Sequence, residues 1–173
     1  MGKEKALILI DLENEWIDKN SEYFVGNISE LISKTNKLIK YCRDNNYKII
    51  FITHIEKDSK KEFAENSENV QIIKDIHKKN SDILIKKFKI SPFYNTSLEK
   101  DLKGIKEVVV CGILTNLCVR SFVEGAYDRE FDITIIDDCC VAFDDKTHKF
   151  TLRDLKSTRE EIKILNLEEF VNQ

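Results

Sequence analysis

A chain of 173 residues with 42% hydrophobic content has the length of one domain and enough apolar side chains for one sizeable core. Its 28 basic and 31 acidic side chains leave a net charge of −3, which offers no strong field to nucleic acid or an anionic membrane and favours a small-molecule partner. The opening residues 1–13 carry an apolar run of only about five residues that breaks at Asp11, too short for a signal peptide or a membrane span, so a cytoplasmic location is expected.

In chain order, apolar runs at 6–12, 48–53, 82–86, 107–112, 132–137 and 161–165 predict six strands. They are continuous rather than alternating, as expected of a parallel sheet covered on both faces. Amphipathic stretches lie between them, which is the pattern of βαβ units and an α/β fold. The spacing predicts a helix over 29–45, with Ile28, Leu31, Ile32, Thr35, Leu38, Ile39 and Cys42 on one face. The charged stretch 56–80 reads as an excursion with a short helical piece. A further helix starts just after the fourth strand, with Thr115 as its N-cap and Leu117, Cys118, Phe122 and Ala126 in helical register. The one proline is Pro92 and no glycine-rich hinge divides the chain, so residues 1–173 are expected to make a single domain.

Ligands of open α/β sheets bind beyond the carboxyl ends of the strands. There the first strand runs into Asp11, the third into Lys86 and Lys87, and the fourth into the turn that leads to Cys118. The five cysteines form no CxxC pair and no zinc spacing, so each is a core filler or a reactive thiol. By residue type alone Cys118 is a small hydrophobe. Near a helix N-terminus and beside a lysine it gains a reason to ionise, and the amides of the same turn gain a reason to bind an oxyanion. Asp11 by itself could cap a loop, and strand alternation sends one of Lys86 and Lys87 inward without saying which.

Three blocks stand in order along the chain, one at Asp11, Glu13 and Trp16, one at Lys87, Ser91, Pro92, Phe93 and Thr96, and one at Gly112, Thr115, Cys118 and Val119, and together they resemble the isochorismatase-like hydrolases. Asp11, Glu13 and Trp16 fall on the family's first block, aspartate followed by x-Gln-x-x-Phe. Lys87, Ser91, Pro92, Phe93 and Thr96 fit its lysine block, which Lys86 does not, and Gly112, Thr115, Cys118 and Val119 fit its nucleophile block. The resemblance implies a six-stranded parallel sheet in the order 3-2-1-4-5-6 with helices on both faces, a cis peptide between Ile113 and Leu114, and a homodimer or higher homo-oligomer. It also implies a catalytic set of Asp11, Lys87 and Cys118, with the backbone N–H groups of Leu114 and Cys118 as the oxyanion hole. Departures from the pattern are Glu13 for glutamine, Pro92 for alanine, Phe122 for threonine and Glu130 for glycine. Glu13 places a second carboxylate near Asp11, where burial of both would raise the aspartate's pKa.

The function this implies is hydrolysis of a small amide or related C–N bond through a thioester, with no cofactor. A vinyl-ether hydrolase and a non-catalytic binding or regulatory domain are the alternatives; Lys87 pointing away from Cys118 would favour the latter. Trp16, Phe24, His54, Phe88 and Phe93 are expected to line the substrate pocket. The nicotinamidase branch carries an Asp-x-His pair and a later histidine for a metal, where this chain has Thr53, His54, Ile55 and Glu56, so no metal site is expected. His148 is expected to be structural, and Cys139 and Cys140 to pack in the core.

Overall fold

The computed structural model describes residues 4–173. Six strands form one sheet: β1 Lys5–Ile10, β2 Lys48–His54, β3 Ile83–Lys87, β4 Glu107–Ile113, β5 Asp132–Val141 and β6 Lys163–Leu165. Their order is β3-β2-β1-β4-β5-β6 and all neighbours are parallel, the expected topology. Five helices accompany them: α1 Ser29–Asp44, α2 Leu98–Asp101, α3 Arg120–Tyr127, α4 Asp145–Thr158 and α5 Leu167–Val171. No helix among the described residues is long and apolar enough to cross a membrane.

Continuous apolar runs become central strands because consecutive residues face opposite sides of the sheet and both sides are covered. Ala6 to Ile10 in β1 have no exposed surface at all. α1 packs its buried stripe of Leu31, Thr35, Leu38, Ile39 and Cys42 against β2 and β5, with α5 beside it; α3 and α4 also pack on β5. At the sheet edge, β3 alternates instead: Leu84 and Lys86 are exposed while Ile85 and Lys87 are buried. That alternation turns Lys87, and not Lys86, into the molecule.

Several boundaries differ from the sequence reading. β1 stops at Ile10 rather than residue 12 because Asp11 takes a left-handed backbone, φ 51°. β5 continues to Val141, passing an irregularity where Val110 and Gly112 of β4 face Ile135 and Cys140. The extension buries Cys139 and Cys140 as packing residues. β6 is shorter than expected, only Lys163–Leu165.

The excursion at 56–80 is a cover for the carboxyl end of the sheet. It contains one 3₁₀ turn, Glu68–Val70, and sinks Phe63, Val70, Ile73 and Ile76 into the core. Main-chain bonds tie it to the loop after β1, from Asn14 N to Gln71 O at 3.0 Å and from Ile73 N to Leu12 O at 3.0 Å.

Candidate active site

Asp11, Lys87 and Cys118 are delivered by three strands that end at one edge of the sheet. Asp11 follows β1, Lys87 closes β3 opposite His54 of β2, and Cys118 lies beyond β4. Gly112 permits the close approach of β4 to β1: its φ is 136°, and a Cβ there would lie 2.0 Å from the Ile10 carbonyl oxygen. After the cis Ile113–Leu114 peptide, Thr115–Val119 forms a π turn before α3. The amides of Leu117 and Val119 both return to the Leu114 carbonyl, at 3.1 and 3.2 Å. The expected N-cap therefore shifts by one residue, to Leu114. Thr115 is inside the turn, its hydroxyl 2.8 Å from His148 Nδ1, a contact that ties α4 to the turn.

Lys87 is the hub. Its Nζ forms an ion pair with Asp11 Oδ2 at 2.9 Å and hydrogen bonds to Cys118 Sγ and His54 Nδ1, each at 3.2 Å. Asp11 and Lys87 are wholly buried. Burial alone would push the Lys87 pKa down, but Asp11 and Cys118 outweigh it and hold the ammonium above its ordinary value.

His54 completes the set. Burial and the Lys87 charge lower its pKa, so near neutral pH the ring is uncharged and Nδ1 accepts from Lys87. Nε2 then carries the proton and donates to Glu56 Oε1 at 2.8 Å.

One electrostatic expectation is reversed. The turn and the lysine were expected to ease ionisation of Cys118, yet burial pushes its thiol well up, Asp11 adds to the rise, and Lys87 only opposes it. Sγ is therefore held as a thiol near neutral pH.

The aromatic residues divide. Trp16 meets Phe63 at 5.3 Å between ring centroids, and His54 meets the same Phe63 at 5.2 Å, which places both expected pocket residues around one ring. Tyr23 and Phe143 also pack on Trp16. The other three expected pocket rings are engaged elsewhere. Phe93 stacks on Phe122 at 5.6 Å under the Arg129 guanidinium, Phe88 lies beneath the Lys57 ammonium, and Phe24 lines a small separate cavity with Ile17, Ile28 and Ile32. The reading from sequence missed Phe63 and Glu15. Glu15 is buried and accepts from the Ser21 hydroxyl and the Phe63 amide, so it pins the excursion beside the site.

A larger cavity of about 930 Å³ opens at the other end of the sheet, where Lys5, Glu107, Asp132 and Lys163 begin their strands. It brings together no nucleophile, base and cation. The chemistry is concentrated at the opposite edge, around a thiol only 9% exposed.

No group of three His, Cys, Asp or Glu among the described residues is arranged to hold a metal ion. His54 has both nitrogens engaged, His77 is exposed on the excursion, and His148 bonds Thr115. The described residues do not fit a metal centre.

Residues 5–163 match the isochorismatase domain family. The chain belongs to that family. It is 29% identical over 157 residues to the isochorismatase family protein YaaI of Bacillus subtilis, covering 86% of this chain and 87% of that one. It is 24% identical over 169 residues to Nicotinamidase 3 of Arabidopsis thaliana, covering 89% and 81%. In three dimensions it superposes on an isochorismatase-like hydrolase from Alkaliphilus metalliredigens with a TM-score of 0.88 at 19% identity, over 98% of this chain and 97% of the other. The structural likeness speaks for the fold.

Proposed function

We propose that this isochorismatase-family hydrolase cleaves a small amide or related C–N bond through a thioester on Cys118. The carrying observation is the position of Lys87 Nζ, 2.9 Å from a buried carboxylate and 3.2 Å from a buried thiol. A lysine so placed argues against a merely structural thiol and against a non-catalytic domain, for which it would have no reason to point at sulfur.

In this reading Asp11 is the general base. It takes the Cys118 proton as sulfur attacks the substrate carbonyl, while Lys87 stabilises the forming thiolate and keeps the carboxylate oriented. The backbone N–H groups of Leu114 and Cys118 hold the carbonyl oxygen as it becomes an oxyanion. The tetrahedral adduct collapses, the C–N bond breaks, and protonated Asp11 supplies the proton to the leaving amine. Water, deprotonated by the same Asp11, then cleaves the thioester and restores the thiol. Trp16 and His54 flank the substrate, and no cofactor is required.

The amide preference is supported by the relationship to a nicotinamidase and by the complete acid, lysine and cysteine set. The test is ammonia release from a panel of small amides, ureido acids and nicotinamide. At least one should be hydrolysed by the native protein and spared by Cys118→Ala. Equal hydrolysis by the two proteins would refute a cysteine mechanism.

A further inference from the structure

Glu13 is a second buried carboxyl beside the site, and the proposed mechanism does not use it. It has no exposed surface. Oε1 accepts from the His54 amide, whereas Oε2 is buried with no hydrogen-bond partner. The charged and titratable groups around it are Asp11 after β1, Glu15 in the adjoining 3₁₀ turn, His54 at the end of β2 and Lys87 at the end of β3. His54 is uncharged, so one ammonium faces three carboxyls. That ammonium pairs with Asp11 at 2.9 Å and hydrogen-bonds Cys118 and His54, whereas Glu13 makes no ion pair among the described residues.

A buried carboxylate with neither a donor nor a paired cation costs more than a neutral carboxyl in the same place; Asp11 has the Lys87 ammonium at 2.9 Å and Glu13 has no such partner. We infer that Glu13 is held as a neutral carboxylic acid and acts as a positioning residue: it fixes the His54 main chain without drawing on the Lys87 charge that serves Asp11 and Cys118. Burial and the Asp11 charge raise its pKa well above the usual carboxyl range, against the smaller pull of the His54 amide and Lys87. An ionised Glu13 would leave the buried cluster with excess negative charge and oppose thiolate formation. This functional consequence rests on the catalytic reading above; the protonation can be read without substrate or turnover.

The test is an infrared difference spectrum, native protein minus Glu13→Gln, recorded at neutral pH without substrate. A carbonyl band of a protonated carboxyl should appear for the native protein, shift in D₂O, and vanish as the pH is raised. The amide is an uncharged isostere, so Glu13→Gln should keep the native rate of Cys118 alkylation at neutral pH. Glu13→Ala, which strips the His54 amide of its acceptor, should slow alkylation by about tenfold.

Stability supplies an independent reading. A carboxyl with a raised folded pKa contributes stability in full below about 4.3 and loses it as pH rises through the folded value. The thermal midpoint of Glu13→Gln should therefore gain on that of the native protein as pH rises. Absence of the band at neutral pH, or a midpoint difference that is constant with pH, would overturn the inference whether or not an amide substrate is found. If Glu13→Gln fails to fold, the band of the native protein alone decides, by its presence or absence at neutral pH.

Discussion

Lys87 donates to His54 Nδ1 at 3.2 Å, which makes an uncharged imidazole a partner of the buried ammonium. The His54 pKa is depressed, chiefly by burial and then by Lys87. A depressed value means that this contribution to stability is complete above the ordinary histidine value of about 6.5 and fades as pH falls through the folded value. Thermal midpoints of the native protein should therefore fall relative to those of His54→Asn on acidification. His54→Ala should weaken substrate binding and lower kcat/KM by roughly 10- to 100-fold, the equivalent of a hydrogen bond to a charged group, without abolishing turnover. Native kinetics in His54→Ala would remove the residue from the site.

Cys118 should be the first of the five cysteines to react with a limiting alkylating reagent. Cys42, Cys111 and Cys139 have no exposed surface, and Cys140 is buried in β5 with no lysine among the groups that act on its thiol. Because its thiol is pushed up by burial, labelling should be slow at neutral pH and should accelerate as pH rises. Lys87→Met should slow it further, since the ammonium is what opposes that rise. It should also destabilise the fold by about 3–5 kcal/mol through the buried Asp11 charge it strands. Peptide mapping that finds another cysteine modified first would contradict this account.

Chelation should leave any amidase activity intact. The His54 nitrogens are committed to Lys87 and Glu56, and His77 and His148 stand elsewhere. Dialysis against a chelator followed by assay is the check, and reversible loss of activity restored by zinc or manganese would contradict it.

Gly112→Ala should destabilise the protein by at least about 3 kcal/mol, combining a left-handed backbone with a collision against the main chain. The Cβ would stand 2.0 Å from the Ile10 carbonyl oxygen, next to Asp11. Thermal denaturation measures this, and an unchanged midpoint would show that β4 does not approach β1 as described.

The sheet order was foreseen only through the family resemblance, whereas the central strands were legible directly, because burial on both faces forces unbroken apolar runs such as residues 6–10. Edge strand β3 was less plain. Its alternating burial selects Lys87, but its exposed Leu84 disguises it as a continuous run. Asp11, Cys118 and the pair Lys86 and Lys87 stood out because strand ends at one edge gather them, and the choice of Lys87 came through the family resemblance. Glu15 and Phe63 did not: they meet across 48 residues of chain, and neither carries a local pattern that announces the contact. The acidity of Cys118 was misjudged for a physical reason. A helix terminus and a lysine favour a thiolate, but the depth of burial decides.

The thioester mechanism requires a covalent bond between Cys118 and the acyl half of the substrate. The most direct measurement is rapid-quench mass spectrometry of the protein turning over a substrate found in the amide panel, with the Cys118 peptide isolated. An adduct on Cys118 equal to the acyl group is expected, formed at least as fast as turnover and absent from Cys118→Ala. Ammonia release continuing at the native rate in Cys118→Ala, with no adduct on the native protein, would contradict it.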